Sequence, residues 1–339
     1  MQQPIDMKQE LQSVTALMNE FQRAFQALRN EVRKNFVGQE TLVDDVLTAL
    51  FAEGHVLLEG VPGLGKTLLA RTLAASLQLS YERIQCTPDL MPADILGCMT
   101  FEETDHGAHK LAYRQGPVVA NFVLVDEINR ATPKTQSALL EAMQEGQITV
   151  GTRTIPLPQP NIFIATQNPV EQEGTYPLPE AQLDRFLVKL KVHYPKPQEY
   201  HRIIQQTTGV QEPQIGAVLD GERILSIRKT IRQVEVTERV LNYAINLVVA
   251  SQPQNSTLDL VRSHVILGAS PRGVQALVKT AKVRALLDGR TSVSCRDIRD
   301  GAYSALRHRM MLNFSAVSSK VTQDSIIEAI LDKVPEVMD

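Results

Sequence analysis

Gly60-Val61-Pro62-Gly63-Leu64-Gly65-Lys66-Thr67 decides how this chain is read. Before it stands a short apolar run, His55-Val56-Leu57-Leu58-Glu59, of the length of a buried strand. After it comes Leu68-Leu69-Ala70-Arg71-Thr72-Leu73-Ala74-Ala75-Ser76-Leu77, with apolar residues at helical spacing. The glycine stretch therefore joins a strand to a helix, the context that the GxxxxGK[ST] pattern requires. Glycines let successive backbone N–H groups turn inward around an anion, and the positive end of the following helix points to the same place. Lys66 can then reach β- and γ-phosphates, and the Thr67 hydroxyl can hold Mg²⁺. Gly60, Pro62, Gly63, Leu64, Gly65 and Leu68 complete the expected phosphate-contacting stretch. An ordinary glycine turn is the competing reading, and the complete motif in its strand–helix setting weighs against it.

The 339 residues leave room for one or two domains with ample core. Hydrophobic residues make up 43% and charged residues 22%, as in ordinary globular chains. Thirty-five basic against 38 acidic residues give a net charge of −3, which offers no general attraction to nucleic acid or to an anionic membrane. Cys86, Cys98 and Cys295 are far apart and form no CxxC, which fits a reducing compartment and neither a metal site nor a disulfide framework. The polar N-terminus lacks a signal-peptide core, and no apolar run reaches membrane-spanning length. A cytoplasmic protein without membrane insertion is expected.

Moving outward from the loop, residues 7–34 read as one or two amphipathic helices, and a second helix is expected over Glu40–Glu53. The turn at Phe36-Val37-Gly38-Gln39 can line an adenine pocket or simply pack. Tyr81–Cys86 is the expected second strand. Residues 87–120 contain either an exposed hairpin, pairing Phe101-Glu102 with Leu111–Arg114 across a tip with Gly107, or a surface loop. Asn121–Val125 is a continuous apolar strand that ends in Asp126-Glu127. Carboxylates at the carboxyl end of a central strand fall in the crevice where open α/β sheets bind ligands. Asp126 can hold the Mg²⁺ shell, and Glu127, facing differently, can act as general base toward water. Thr132 and Pro133 are the expected N-cap and first residue of a helix ending at Gly146, and residues 148–155 read as a hairpin. Asn161–Thr166 is a buried strand followed by Gln167-Asn168, whose amide can touch a γ-phosphate or attacking water, or can cap the turn before Pro169. Glu180–Phe186 is a short helix leading to a fifth strand, Phe186–Tyr194, whose alternation of apolar and mostly charged residues predicts a sheet edge.

Pro195 and Pro197 mark a boundary, and beyond residue 198 the pattern is helical throughout: 198–207, 217–234, 236–251, 271–288, 295–310 and 321–333. Domain limits are thus expected at 1–35 (helical segment), 36–196 (nucleotide-binding core) and 197–339 (α-helical lid). In Ser270-Pro271-Arg272 the serine is a natural N-cap and the proline a natural first residue. Arg272 then sits in the first helical turn, against the helix dipole, and either meets an external anion or is simply solvated.

Taken together these stretches resemble the MoxR family of AAA+ ATPases, in the helix-2-insert clade. The resemblance runs from about Phe36 to Arg309 and is carried by the loop above and by Asp126-Glu127-Ile128-Asn129-Arg130. It is carried also by Lys134–Met143, Ala165-Thr166-Gln167-Asn168-Pro169, Glu173–Phe186 and Gly268-Ala269-Ser270-Pro271-Arg272. It implies an α/β AAA+ P-loop core with a five-stranded parallel sheet and an all-α lid. By the same resemblance Lys66 and Thr67 match Walker A, Asp126 and Glu127 Walker B, Asn168 sensor 1, Arg185 the arginine finger acting on a neighbouring subunit, and Arg272 sensor 2. It further implies ATP and Mg²⁺, a hexameric ring, a separate partner with a von Willebrand factor A domain, and protein clients matured in a chaperone-like way. The related alternatives are the motor of a metal chelatase and a nucleic-acid motor. The second is disfavoured by an insert carrying only Lys110 and Arg114 against Glu102, Glu103 and Asp105. Cys86 departs from the resemblance, since many relatives have an aromatic residue there.

Overall fold

The computed structural model describes residues 7–103, 109–170, 174–209 and 213–336. The insert tip with Asp105 and Gly107, Glu173 of the matched run, and the first six residues lie outside them. The chain opens with α1 (Met7–Asn35) and α2 (Glu40–Phe51), each buried along one stripe: Phe21, Phe25, Leu28 and Val32 on α1, and Val43, Val46, Leu47 and Leu50 on α2. Phe21 meets Phe51 edge-on at 5.1 Å between ring centroids.

Next come β1 (Val56–Glu59), α3 (Lys66–Ala75), β2 (Leu77–Gln78), β3 (Tyr81–Gln85) and α4 (Pro92–Leu96). They are followed by the hairpin β4 (Gly97–Glu103) and β5 (His109–Gln115), then β6 (Phe122–Asp126), a 3₁₀ turn at Ile128–Arg130 and α5 (Pro133–Glu145). The hairpin β7 (Gln147–Val150) and β8 (Arg153–Pro156) leads to β9 (Ile162–Gln167), α6 (Glu180–Leu183), β10 (Val188–Lys191), α7 (Pro197–Thr208) and β11 (Leu219–Asp220). Five of these strands form one parallel sheet in the order β10-β1-β9-β6-β3. Its centre is apolar for a physical reason: β6 and β9 are covered on both faces, so Phe122–Val125 and Ile162–Ala165 are all buried. β10 stands at one edge, as its alternating pattern predicts. The 87–120 segment forms the hairpin, with Cys98 opposite Arg114 and Phe101 opposite Leu111.

The helical region follows: α8 (Gly221–Arg232), α9 (Glu238–Ala250), α10 (Asp259–His264), β12 (Val265–Leu267), α11 (Pro271–Leu287), α12 (Cys295–Leu306), β13 (Met311–Leu312), α13 (Phe314–Ser318) and α14 (Gln323–Lys333). It is not helical throughout, because β12 and β13 pair antiparallel. Strands of three and two residues carry too little periodicity to be read from sequence. The short α10 and α13 are likewise additions to the expected set.

Two compact units result. The α/β unit comprises residues 31–42 and 54–221, and the helical unit comprises 1–30, 43–53 and 222–339. These limits run differently from 36 and 197. In the α/β unit α7 is tied back by Arg202 Nη2 to the Arg33 carbonyl (3.1 Å) and by Gln206 Nε2 to the Lys34 carbonyl (3.0 Å). Within the helical unit Asp45 pairs with Arg284 at 2.6 Å and Asp44 with Arg29 at 2.7 Å.

Candidate active site

The glycine loop leaves β1 and enters α3. Gly63 and Gly65 have φ of 80° and 83°, in the left-handed region, so the turn needs glycine there. At Gly65 a Cβ would also stand 3.1 Å from the Phe36 ring. No side chain caps α3, and the amides of Gly63, Leu64 and Gly65 donate to no acceptor among the described residues. Unsatisfied N–H groups converging at a helix start are what an anion needs. Lys66 folds back, and its Nζ donates to the carbonyl of Gly60 and, at 2.9 Å, to that of Val61. Gly60 N in turn donates to Gln167 O at 3.2 Å, which fastens the loop to β9.

Beside the loop lies a cavity of about 360 Å³. It is lined by Phe36, Val37 and Gln39 of the turn before α2, by Pro62–Gly65 and Leu68, and by Tyr194, Tyr200 and Ile203. Gln39 Oε1 accepts from His193 N at 2.9 Å.

β6 delivers Asp126 to the loop. The side chain is nearly buried, and three donors reach it: Thr166 Oγ1 at 2.6 Å, Arg83 Nη2 at 2.6 Å and Thr67 Oγ1 at 2.9 Å. Burial pushes its carboxyl up, and the hydrogen bonds from Thr166, Arg83 and Thr67 outweigh this and hold it below its ordinary value. Glu127 follows in the left-handed region, φ 57° and ψ 50°. Such a backbone costs a non-glycine residue energy and is kept where the surroundings fix it. What fixes it here is a bond from Glu127 N to Thr166 Oγ1 at 2.8 Å. Glu127 Oε2 accepts from Gln85 Nε2 at 3.1 Å and Arg130 Nη1 at 3.0 Å, while Oε1 accepts from none of the described residues. Thr166 thus bridges the two acidic residues from the neighbouring strand.

Asn168 follows β9 and is 4% exposed. Its Oδ1 accepts from Val170 N at 3.2 Å, its carbonyl accepts from Asn129 Nδ2 at 3.2 Å, and its own Nδ2 has no partner among the described residues. Arg185 follows α6, and its guanidinium makes no bond to a described residue. Arg272 is the second residue of α11 in the helical unit, where Ser270 Oγ accepts from its backbone N at 3.1 Å. Ser270 and Pro271 are N-cap and first residue as the sequence predicts. At α5 the expected N-cap Thr132 stands in place, but its hydroxyl donates to Thr135 Oγ1 (3.2 Å) instead of capping the helix. The network thus draws together Thr67, Asp126 and Glu127. Arg83, Gln85, Arg130 and Thr166 join them, although the motif reading gives these four no role.

Residues 55–188 match the ATPase family associated with various cellular activities (AAA), and residues 259–330 match the AAA lid domain. The chain is 42% identical to Chaperone MoxR1 of Mycobacterium tuberculosis, over 90% of its own length and 80% of that protein's. The chain belongs to the MoxR family of AAA ATPases. Protein MoxR of Methylorubrum extorquens is 32% identical over 94% of this MoxR-family chain and 97% of its own. The crystal structure of a Cytophaga hutchinsonii protein assigned as an ATPase superposes with a TM-score of 0.88 at 40% identity, covering 96% of this chain and 98% of its own. The chain is therefore an ATPase that binds nucleotide.

In this MoxR-family ATPase the side-chain atoms at the end of β6 and the start of α3 are hard oxygens, Thr67 Oγ1 and Asp126 Oδ2, which suit Mg²⁺. Among the described residues no cluster of three or more His, Cys, Asp or Glu could hold a metal. Two protein oxygens, completed by phosphate and water, are the usual way a nucleotide site holds that ion. Among the described residues no helix is long and apolar enough to cross a membrane. Cys86, next to these carboxylates, is buried, and burial pushes its thiol up to about 12, so it is inert as a nucleophile.

Proposed function

We propose that this ATPase uses hydrolysis for chaperone-like remodelling or maturation of protein complexes in the cytoplasm. In this reading it acts as a hexameric ring with a separate von Willebrand factor A partner and a protein client. The name of the Mycobacterium relative, a chaperone, supports the process. The arrangement that carries the chemistry is the shared hydrogen-bond network of Thr67, Asp126, Thr166 and Glu127. The cavity beside Phe36 and Tyr194 receives the base. The amides of Gly63–Gly65 and the Lys66 ammonium hold the β- and γ-phosphates, with Gly60, Pro62, Leu64 and Leu68 shaping the cradle. Thr67 and Asp126 hold Mg²⁺, which when bound offsets phosphate charge and polarises the phosphoryl group. Glu127 takes the proton of the attacking water on its open Oε1. Asn168 Nδ2 orients that water or a γ-oxygen. Arg185 from one subunit and Arg272 from the lid offset charge that develops on the transferred group, leaving ADP and phosphate.

Glu127→Gln tests the reading. Binding of a fluorescent ATP analogue should persist within about threefold while phosphate release falls about 10²–10⁴-fold, the scale of general-base catalysis. Equal turnover by Glu127→Gln and the parent chain would remove Glu127 from the chemistry. The variant held in ATP is also the bait for partners. A von Willebrand factor A protein or an immature enzyme supports maturation, a chelatase partner supports the metal-insertion motor, and nuclease-sensitive capture would favour a nucleic-acid motor.

A further inference from the structure

The helical unit carries a second cavity of about 360 Å³. Phe51, Ile231, Val274 and Val278 make its walls apolar. Arg228 also lines it and is only 4% exposed. Its Nε and Nη2 both donate to the Leu50 carbonyl, at 3.1 and 2.7 Å, and it has no carboxylate pair among the described residues. A buried cation bonded only to a carbonyl is costly, and burial lowers its pKa to about 10 although the Glu53 carboxylate acts in the other direction. Arg232, Lys279 and Lys282 line the same space. Among the described residues the only acid that lines it is Glu53, already paired with Arg232. Four cations thus face one spent carboxylate.

The apolar surface does not stop at the cavity. Leu241, which also lines it, is followed on α9 by Ile245 and Val249, one and two turns on, and the three are 38%, 38% and 37% exposed. α9 packs on α11, whose Val274 and Val278 face the cavity. A row of half-exposed aliphatics at four-residue spacing, ending at a cationic apolar socket, is a helix-in-groove layout. A lone acyl chain would fill the socket and leave the α9 row uncovered.

We propose that this groove docks an amphipathic helix of a protein partner. The helix lays its apolar face on Leu241, Ile245 and Val249 and sets Asp or Glu carboxylates against Arg228, Arg232, Lys279 and Lys282. Docking is independent of hydrolysis, so it stands or falls apart from the proposed roles of Glu127 and Arg185.

The probe is a fluorescein-labelled helical peptide, about sixteen residues long, with leucines at i, i+4 and i+7 and glutamates elsewhere on the contact side. Its twin carries lysine for each glutamate. Fluorescence anisotropy with the full chain should give saturable, micromolar binding of the acidic peptide and none of the twin. Lys279→Glu/Lys282→Glu, and separately Leu241→Ser, should each weaken binding about tenfold or more while circular dichroism and phosphate release stay unchanged. Equal binding of both peptides, no loss in either variant, or no binding at all would overturn the proposal. So would displacement by decanoate with the peptide itself inert, which assigns the socket to a small amphiphile. Binding that appears only when dilution dissociates the assembly would assign the groove to a second copy of the chain.

Discussion

Thr166 shows how much one hydroxyl can organise. It is fully buried, donates to Asp126 and accepts from the backbone of Glu127. Removing it leaves a buried carboxylate one donor short and frees the strained residue beside it. Thr166→Val should therefore lower turnover about 10–100-fold and raise the Mg²⁺ concentration needed for half-maximal rate, as loss of an outer partner does at metal sites. Thr166→Ser keeps the hydroxyl and should stay within a few-fold. A Thr166→Val enzyme with normal Mg²⁺ dependence and rate would show the bridge to be dispensable. Thr166 lies inside a stretch that the motif reading singles out, yet it gains no role there, because its partners stand on the neighbouring strand. Arg83 and Gln85 escape notice for the same reason. Lys66, Thr67, Asp126 and Glu127 are legible because spacing along the chain fixes their geometry, whereas cross-strand partners depend on sheet order.

Among elements, the legible ones are those whose pattern is local and long. The five sheet strands, α5 with Pro133 at its start and Gly146 at its end, and the β7–β8 hairpin are readable from alternation, caps and apolar runs. For 87–120 the sequence leaves hairpin and surface loop equally open, and the structure decides for the hairpin. The order β10-β1-β9-β6-β3 is not readable, since nothing local states which strand lies next to which. The signal that could have found Arg83 and Gln85 is positional: in a parallel sheet every strand's carboxyl end faces the ligand crevice. The loop joining β1 to α3 gives a prediction at this scale. An alanine at Gly65 must hold φ near 83° and press on the Phe36 ring, at a cost of about 1–2 kcal/mol from backbone alone. Gly65→Ala should therefore weaken nucleotide affinity about tenfold in isothermal titration, because 1.4 kcal/mol is a factor of ten. Unchanged affinity would mean that the loop tolerates the side chain by shifting Phe36.

At the scale of the whole molecule, the role proposed for Arg185 on a neighbouring subunit can be tested directly, since its guanidinium makes no bond to the described residues of its own chain. Arg185→Ala should keep nucleotide binding and lose about 10³-fold in turnover, and parental turnover per subunit should fall on dilution. Turnover that stays constant down to the monomer would contradict action across subunits. Stability should depend on pH through Asp297 at the start of α12. Burial pushes its carboxyl up, but two bonds from Arg290 (2.7 and 2.8 Å) and those from the Ser294 backbone and hydroxyl bring it below the ordinary value. A depressed carboxyl contributes stability that is present above the unfolded value, about 3.9, and is lost as pH falls through the lower folded value. Asp297→Asn should thus cost about 1.5–3 kcal/mol at pH 7 in urea unfolding, and the difference should shrink below about pH 4. A difference that stays constant into acid would assign the loss to packing.

The two compact units also constrain how such a protein can be taken apart. The chain passes from one to the other at 30/31, 42/43, 53/54 and 221/222. No single cut therefore releases either unit intact. A fragment starting at residue 222 would lack Phe21, Phe25 and Phe51 and the carbonyl that accepts from Arg228. Modular recombination, by a genetic crossover or in the laboratory, would have to carry the short 43–53 stretch along with the C-terminal region, or inherit a core with its N-terminal staves missing.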